Sequence, residues 1–481
     1  MKKKGFTLIE LLAVIVILAI IALIAVPLVL KYIAKSKEGA QVRSAEFYID
    51  AVEHAITTEN LNAGRFNPSV CYIEKDGILL CDNKTIKVEV KGEIPTSGIV
   101  EFENGKVVDM TMQINDKIIT KQDDDLVNLK AGLYNANGDL IATWEELVSD
   151  YGIDLEKNYT NEKGSLIVDE TALPGVILST NEKLNQGTKL IVDSSVKEIG
   201  ISALYKCTTL EEVILPNSVT NIGVFAFYNI KSLKKVIIPN SVISIGNSAF
   251  YGCTSLEKII IPNSVTSIGN AVFKGCKNLT KVIISNGVTT IGDSMFQNCQ
   301  NLSEITIPSS ITSIEGFMFK GCSKLSKIII PNSVTRIGAG AFSGCKSLEE
   351  ITLPDSIMTI EINAFQDCSN LKEIVIPNGV TAIKELTFSR CRSLEKVIIP
   401  NSVTTIEYNA FELCDSLKEI VIPKSVTTIE SGIFAYCSDL KTINYPGTEA
   451  EWNSISLSDT WNKNASIDMA INYNYVIPQN Q

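Results

Sequence analysis

A 23-residue period governs more than half of this chain. From about residue 188 to 443 the sequence keeps returning to one pattern, of which SVTSIGNSAFYGCTSLEKIIIPN is a copy. A leucine that recurs from Leu210 to Leu440 marks eleven copies. One copy is too short to bury its own apolar side chains, so the copies must stack and share one continuous core. The period therefore predicts a solenoid of eleven coils.

Two columns of side chains are expected to fill this core. Free cysteine behaves as a small buried hydrophobe, and Ile230 takes the cysteine position in one copy, so we expect buried thiols and not metal or redox chemistry. Leu204 likewise takes the place of the phenylalanine. The phenylalanines are Phe227, Phe250, Phe273, Phe296, Phe319, Phe342, Phe365, Phe388, Phe411 and Phe434, and the cysteines are Cys207, Cys253, Cys276, Cys299, Cys322, Cys345, Cys368, Cys391, Cys414 and Cys437.

The path of one coil can be predicted from its residues. Alternating apolar positions in Leu256–Ile261 indicate a short strand, and Pro262–Asn263 turns the chain. A second short extended stretch, Val265–Ile268, follows. We expect Gly269 to allow a tight bend. Ala271–Cys276 should then return over the core as a short helical turn. Equivalent strands of successive coils should pair in parallel.

The outward position of the main strand is a candidate binding face. β-Branched residues there could simply favour an extended ladder, or a row of exposed apolar side chains could mark a partner site. Both interpretations stay open. The charged column beside this row mixes lysine and glutamate, so no strong steering of a charged ligand is expected. The apolar members of the row are Ile214, Ile237, Ile260, Ile283, Ile329, Val375, Ile398 and Val421.

The period and residue types of these copies are similar to the BspA-like leucine-rich repeats of bacterial surface proteins. The resemblance covers more than half of the chain. It implies a leucine-rich-repeat solenoid of parallel β-strands and short helical turns. It also implies adhesion or protein binding and not catalysis.

The N-terminus carries a second informative pattern. Three lysines precede Gly5, and a single acid, Glu10, stands before an unbroken apolar run over residues 11–30. Twenty apolar residues on a helix span about 30 Å, one hydrocarbon thickness. Lysines ahead of the run favour an N-terminus that stays in the cytoplasm. A carboxylate at the edge of such a helix is costly unless it gains a partner.

The segment Gly5-Phe6-Thr7-Leu8-Ile9-Glu10 resembles the processing site of type IV prepilins and pseudopilins. This resemblance implies cleavage between Gly5 and Phe6 by a prepilin peptidase and N-methylation of Phe6. Glu10 would then pair with the freed amine of a neighbouring pilin subunit during assembly. The implied partners are other pilin subunits, the peptidase and methyltransferase, and the membrane.

The remaining segments complete the predicted architecture. Alternating patterns and the hairpin signal Glu103–Lys106 indicate a small antiparallel β head after the N-terminal helix. Cys71 and Cys81 are ten residues apart on the exported side, and they are either bridged or free. The expected domains are a leader (1–5), a pilin helix (6–60, membrane span 11–30), a β-rich head (61–125), a connector (126–187), the solenoid (188–443) and a C-terminal cap (444–481).

Composition narrows the function classes. The net charge of −11 disfavours nucleic acid as a partner. The one histidine, His54, lies on a predicted helix and is expected to be structural. No enzyme motif, cofactor site or metal site is expected.

We therefore expect a minor type IV pilin-like subunit that presents the solenoid to an unknown protein or surface ligand. It should pass from the bacterial cytoplasmic membrane to the cell surface or pilus. Two alternatives stay open. One is a pseudopilin of a type II-like secretion or competence system. The other is a membrane-anchored surface adhesin that never polymerises.

Overall fold

A computed structural model describes most of the chain outside the N-terminus and the segment before the solenoid. Its contacts divide the chain into two units, Met1–Lys130 and Ala131–Gln481. Among the described residues, no helix is both long and apolar enough to cross a membrane. The predicted span, 11–30, lies outside the described residues. The described residues are 40–56, 68, 70–73, 77–81, 84–88, 90, 93–103, 106–115, 117–122, 125–134, 139–143, 187–205, 207–465 and 469–477.

The first unit packs one helix against an antiparallel sheet. Helix α1 occupies 40–56. It buries Ala45, Tyr48, Val52 and Ile56, an apolar stripe at helical spacing. The sheet has the order β3-β2-β1-β4-β5-β6-β7. Its strands are β1 (Val70–Ile73), β2 (Leu79–Cys81), β3 (Lys84–Ile86), β4 (Ser97–Glu103), β5 (Lys106–Ile114), β6 (Lys117–Gln122) and β7 (Asp125–Leu129).

The predicted hairpin in this unit is confirmed. Strands β4 and β5 pair antiparallel with Glu103 opposite Lys106, so two residues connect them. Glu53 of α1 accepts hydrogen bonds from the Lys106 Nζ at 2.7 Å and from the Val107 backbone N–H at 3.0 Å. These contacts hold the helix beside the hairpin.

The solenoid in the second unit runs along two parallel ladders, as the period predicts. Each strand pairs with its equivalent one coil away, for example Ile214 with Ile237. The first ladder contains β10 (Lys189–Ile191), β12 (Glu212–Ile214), β14 (Lys235–Ile237), β16 (Lys258–Ile261), β18 (Lys281–Ile284), β20 (Glu304–Thr306), β24 (Glu373–Val375), β26 (Lys396–Ile398), β28 (Glu419–Val421), β30 (Thr442–Tyr445) and β32 (Ala470–Tyr473).

The second ladder consists of two-residue strands on the next side of each coil. Its inward residues, such as Ile245 and Ile268, are buried. The strands are β11 (Glu198–Ile199), β13 (Asn221–Ile222), β15 (Ser244–Ile245), β17 (Ser267–Ile268), β19 (Thr290–Ile291), β21 (Ser313–Ile314), β22 (Arg336–Ile337), β23 (Thr359–Ile360), β25 (Ala382–Ile383), β27 (Thr405–Ile406), β29 (Thr428–Ile429) and β31 (Ser456–Leu457).

A column of stacked phenylalanine rings runs through the core. Consecutive rings from Phe227 to Phe434 are nearly parallel, with centroids 4.7 to 5.8 Å apart. All ten rings are fully buried. Each ring contacts its equivalents in the adjacent coils, so a coil without neighbours would lose most of its core.

The third side of each coil is a series of tight turns and not a regular helix. Cys253 N–H donates to the Phe250 carbonyl three residues earlier, and Phe250 N–H donates to the Val272 carbonyl of the next coil. The left-handed residues in one coil are Ala271 (φ 55°) and Gly275 (φ 77°). The bend predicted at Gly269 is therefore misplaced. In this coil the glycine permits a close approach of two chains, because a Cβ on residue 269 would lie 2.7 Å from the Asn247 backbone nitrogen.

Both ends of the solenoid are covered by irregular elements. A hairpin of β8 (Gly132–Tyr134) and β9 (Leu140–Thr143) lies within the stretch that we expected to be a connector, and β8 pairs antiparallel with β10. At the other end, helix α2 (Glu449–Trp452) begins with a capping box. Trp452 packs edge-on against Tyr445 at 5.2 Å. Strands β31 and β32 then extend both ladders by one irregular coil.

Candidate binding surface

The processing residues Gly5, Phe6 and Glu10 lie outside the described residues. Their predicted roles in cleavage, methylation and assembly remain predictions.

Cys71 and Cys81 form a disulfide in the structure. They lie on the adjacent strands β1 and β2 with their Cα atoms 4.4 Å apart. Both are fully buried among the apolar side chains of the first unit. The bond links two strands of the sheet within its core, so it serves the fold and not a reactive site.

The ten solenoid cysteines are free and buried. Nine of them, from Cys253 to Cys437, donate an S–H hydrogen bond to the carbonyl of the phenylalanine position one coil earlier. Burial raises the pKa of Cys276 to about 12, so this group is a thiol at neutral pH. Because the thiolate is the reactive form, this column is structural.

The outward row of the first ladder is divided into two halves. Ile214, Ile237, Ile260 and Ile283 are only 2 to 4 % exposed. They point away from the core, since Val213 and Leu215 on either side of Ile214 belong to the core and Ile214 does not. The prediction of an exposed row is therefore wrong for these four residues. Alternation fixes the direction of a side chain but not what lies over it.

The later half of the row is open to solvent. Ile329 is 75 % exposed and Val375 is 55 % exposed, and Ile398 and Val421 are half-buried. Between β20 and β24 the first ladder narrows to a single bridge between Ile329 and Thr352. A groove of about 580 Å³ opens at this bridge. Its walls include Lys327, Ile329, Glu349, Glu350 and Pro354.

The charged residues that flank this open row also differ from those of the early coils. In early coils the flanking column forms ion pairs, such as Lys189 with Glu212 at 3.0 Å and Lys281 with Glu304 at 3.3 Å. Lys327 and Glu350 occupy equivalent positions one coil apart, yet no ion pair joins them to each other or to another described residue. We call the set Lys327, Ile329, Glu350, Thr352, Val375, Ile398 and Val421 the late outer face. It combines apolar area with charges of both signs.

Sequence reasoning missed a second group of exposed apolar residues, on the turn side of the coils. Phe225 and Phe317 occupy left-handed positions (φ 57° and 55°) and are each 40 % exposed. The available signal was an aromatic residue at a position that other coils fill with serine, glycine, asparagine, alanine or leucine. That contrast becomes informative only when the left-handed position is known.

Comparison with solved structures finds leucine-rich-repeat proteins. A leucine-rich repeat protein from Bacteroides ovatus is 26 % identical, with 60 % of this chain and 84 % of that chain covered and a TM-score of 0.48. A leucine rich cell surface protein from Faecalibacterium prausnitzii is 24 % identical, with 72 % and 97 % covered and a TM-score of 0.39. A leucine-rich repeat protein from Eubacterium ventriosum is 22 % identical, with 67 % and 93 % covered and a TM-score of 0.42. No curated protein matches the chain.

Two family models match the sequence. The prokaryotic N-terminal methylation motif matches residues 1–26. The BspA type leucine rich repeat region matches residues 182–302, 243–372 and 336–464, which together exceed half of the chain. Both resemblances expected from the sequence are thereby confirmed. The chain belongs to the family of proteins with a BspA type leucine rich repeat region, and it carries a prokaryotic N-terminal methylation motif.

Proposed function

We propose that this protein is a minor type IV pilin-like subunit that displays its solenoid at the bacterial surface for adhesion or protein binding. The observation that carries the proposal is the methylation motif at residues 1–26 in the same chain as a long repeat region. A processed pilin helix would place the solenoid outside the cytoplasmic membrane. The bulk of the solenoid would limit dense packing of identical subunits, which favours a minor subunit over the major one.

The late outer face is the proposed ligand surface. Its exposed Ile329 and Val375 offer apolar area, and Lys327 and Glu350 offer charges that form no ion pair with a described residue. Apolar patches with a charged rim are typical of protein–protein contact sites. The buried thiols and the stacked phenylalanines serve the fold, so we propose binding and not catalysis as the task of this unit.

The assembly half of the proposal is tested with Glu10→Ala in the full chain. Cells that produce the wild type, Glu10→Ala or the matched control Glu46→Ala are sheared, and the filament and membrane fractions are probed by immunoblot. Glu46 is an exposed acid on helix α1. We expect the wild type and Glu46→Ala in the sheared fraction and Glu10→Ala in the membrane. Equal release of Glu10→Ala, or a wild type that never leaves the membrane, would contradict filament membership.

The binding half is tested with Ile329→Asp combined with Val375→Asp. Adherence of cells to an epithelial monolayer and to cells of the same bacterium is compared with that of cells carrying Ile243→Asp. Ile243 is 51 % exposed and lies outside the late outer face, so it controls for loss of surface apolar area. We expect the double variant alone to lose adherence while its amount in the sheared fraction stays unchanged.

A pseudopilin for secretion or DNA uptake is the alternative that the N-terminal motif also allows. The net charge of −11 predicts weak binding of DNA to the exported part of the chain. A salt titration of DNA binding by the purified full chain separates the two functions. Tight binding that weakens steeply with salt would favour DNA uptake.

A further inference from the structure

The solenoid ends in one irregular coil that has no further coil beyond it. We call it the closing coil; its described residues are 456–465 and 469–473. A terminal coil usually presents a polar outer side to water. Here several apolar residues pack against the core yet stay half-buried, which leaves part of their area uncovered. These residues are Leu457, Trp461, Ala465, Met469, Ile471 and Tyr473.

Strand β32 of the closing coil has one unpaired edge. It pairs in parallel with β30 on one side, and among the described residues no strand pairs with it on the other. The Ala470 N–H donates to the Lys441 carbonyl of β30 at 2.8 Å. Alternate residues of a parallel strand bond to the same neighbour. The backbone groups of Ile471 and Tyr473 therefore point to the open edge, where no described residue bonds to them.

Nothing in the residues of this edge protects it from pairing. Natural edge strands are usually blunted by charged side chains, by proline or by a bulge. Residues 469–477 contain no charged residue and no proline, and the pairing of β32 with β30 runs without a register shift. Val476, just beyond the strand, is 84 % exposed. The edge is therefore a ready template for a strand of another chain.

Asn472 lies at the centre of this edge, on the outer side of the ladder. Its Nδ2 donates to the Asn444 Oδ1 at 3.0 Å, and the Asn444 Nδ2 donates to the Glu419 Oε2 at 3.2 Å. These bonds orient the exposed Asn472 amide along the ladder. Its Oδ1 accepts from no described residue, so the amide can form a hydrogen bond with a side chain on an added strand.

We propose that the closing coil binds the closing coil of a second copy of this chain, with the two β32 strands antiparallel about a two-fold axis at Asn472. Ile471 of each copy then lies opposite Tyr473 of the other, and each such pair exchanges both N–H to carbonyl bonds. All outward backbone groups of these two residues are satisfied. A two-fold centred on Ile471 or on Tyr473 would pair only one residue of β32.

The side chains fit the same register. Ile471 and Tyr473 meet on the core side of the strand, and pairs of a β-branched with an aromatic residue stabilise antiparallel strands. On the outer side the two Asn472 residues lie directly opposite, with Cα atoms about 4.5 Å apart, so their amides can bond to each other. Four strand residues cannot supply the roughly 800 Å² per partner of a stable interface. The half-buried apolar end of each closing coil therefore has to join the contact.

Charge neither drives nor prevents this association. The described closing coil carries only Asp459 and Lys463, which have opposite signs and lie on the turn side. Glu449 is the acid that acts on Tyr473, and the two-fold repeats it on the second copy. Added salt screens that repulsion, so it should leave the dimer unchanged or tighten it.

The interface is isologous and closes at a dimer. The chain enters the solenoid at its first coil, so the two copies meet at the ends away from that entry. Copies on two different filaments or cells can then bind each other, a consequence that rests on the proposed surface display. The dimer itself is tested on purified protein, so its failure is separate from a failure of surface display.

The first test is sedimentation velocity on the purified full chain in detergent, over a range of protein and salt concentrations. We expect a dimer that salt does not weaken. Asn472→Lys and Asn472→Asp each set like charges against each other at the axis and should each weaken the dimer by about tenfold or more. An equal mixture of these two variants should dimerise again. The matched control is Asn378→Lys, at an exposed asparagine of a regular coil, and it should dimerise like the wild type.

The second test is oxidative cross-linking of Asn472→Cys, followed on a non-reducing gel. The native cysteines form the Cys71–Cys81 disulfide or are buried, so the new thiol is the one available for a bond between copies. Directly opposite strand residues are close enough for a disulfide. We expect a cross-linked dimer for Asn472→Cys and none for Asn378→Cys.

Several results would overturn the proposal. A wild type that stays monomeric at every concentration would do so, as would open-ended oligomers, which indicate pairing of β32 with a different edge. A dimer that Asn472→Lys does not weaken would form through another part of the chain. Failure of the mixed variants to dimerise, or of Asn472→Cys to cross-link, would contradict the two-fold axis at Asn472.

Discussion

The outer faces of the early and late coils have similar sequences and opposite environments. Ile260 and Ile329 occupy the same position of the repeat, yet they are 4 % and 75 % exposed. The core beneath them is the same in both halves, with fully buried phenylalanines and cysteines. The repeat thus specifies the interior uniformly, while the surroundings of the outer face change along the solenoid. A binding surface can therefore occupy one half of a regular array.

The largest expected loss of stability tests whether the core is equivalent in the early and late halves of the solenoid. Phe250→Ala in the early half and Phe365→Ala in the late half each remove a fully buried ring that stacks on both neighbours. Each should lower the apparent free energy of unfolding by about 3–5 kcal/mol. Urea unfolding followed by circular dichroism measures both. Losses that differ by more than about 2 kcal/mol would show that the interiors are not equivalent.

The second-largest expected loss of stability distinguishes the outer face of the early coils from that of the late coils. Ile260→Asp places a carboxylate at a buried position and should cost about 3 kcal/mol or more, because removing a charge from water is costly. Ile329→Asp lies in solvent and should change stability by less than about 0.5 kcal/mol. The same unfolding assay compares them, with Ile260→Val as the control for a small change in volume. Equal losses would abolish the distinction between early and late coils.

The buried cysteines of the solenoid should contribute equally to stability in its early and late halves. Cys276 and Cys368 donate to the carbonyls of Phe250 and Phe342, each at 3.2 Å. Replacing either cysteine by alanine removes this donor, but the carbonyl keeps a backbone N–H partner, so the loss should be about 0.5–1.5 kcal/mol. Iodoacetamide labelling followed by mass spectrometry gives an independent check. Both thiols should react only after unfolding, and rapid labelling of either in the native protein would contradict its structural role.

The smallest expected effect is a loss of stability at low pH, and within the solenoid it should arise in the late half. Glu361 accepts from the Lys384 Nζ at 2.6 Å, and this hydrogen bond lowers the pKa of Glu361 below its ordinary value of 4.5. A lowered folded-state pKa stabilises the protein above pH 4.5, and the contribution is lost as the pH falls below that value. Solvent screening limits it to about 1 kcal/mol or less.

Glu361→Gln tests this contribution directly. The variant should remove part of the stability difference between pH 6 and pH 3, as measured by urea unfolding at each pH. The equivalent early residues, Gly246, Gly269 and Gly292, have no side chain to titrate. An unchanged pH dependence in the variant would show that the ion pair does not stabilise the late coils.

Most of the fold could be predicted because the period repeats the same physical requirement eleven times. Parallel pairing, the stacked phenylalanines and the buried thiols all follow from apolar residues at a fixed spacing. The bend at Gly269 could not be placed correctly. Glycine serves either a left-handed conformation or a close approach of two chains, and the sequence does not distinguish these uses. The left-handed residue, Ala271, carries no such signal.

The candidate surface was only partly predictable for a different reason. Alternation along a strand assigns Ile260 and Ile329 to the same side of the ladder, and the structure agrees. Exposure depends on what lies over each side chain, which a 23-residue pattern does not specify. The lack of an ion pair between Lys327 and Glu350 could not be predicted either, since equivalent lysine and glutamate residues form ion pairs in early coils.

The N-terminus of the protein recovered from sheared surface filaments tests the account most directly. Mass spectrometry of that fraction should find a chain that begins at Phe6 with a methylated amine, together with peptides from the solenoid. A chain that still begins at Met1, or one cut beyond residue 30, would contradict membership in a pilus. The solenoid would then reach the surface by another route.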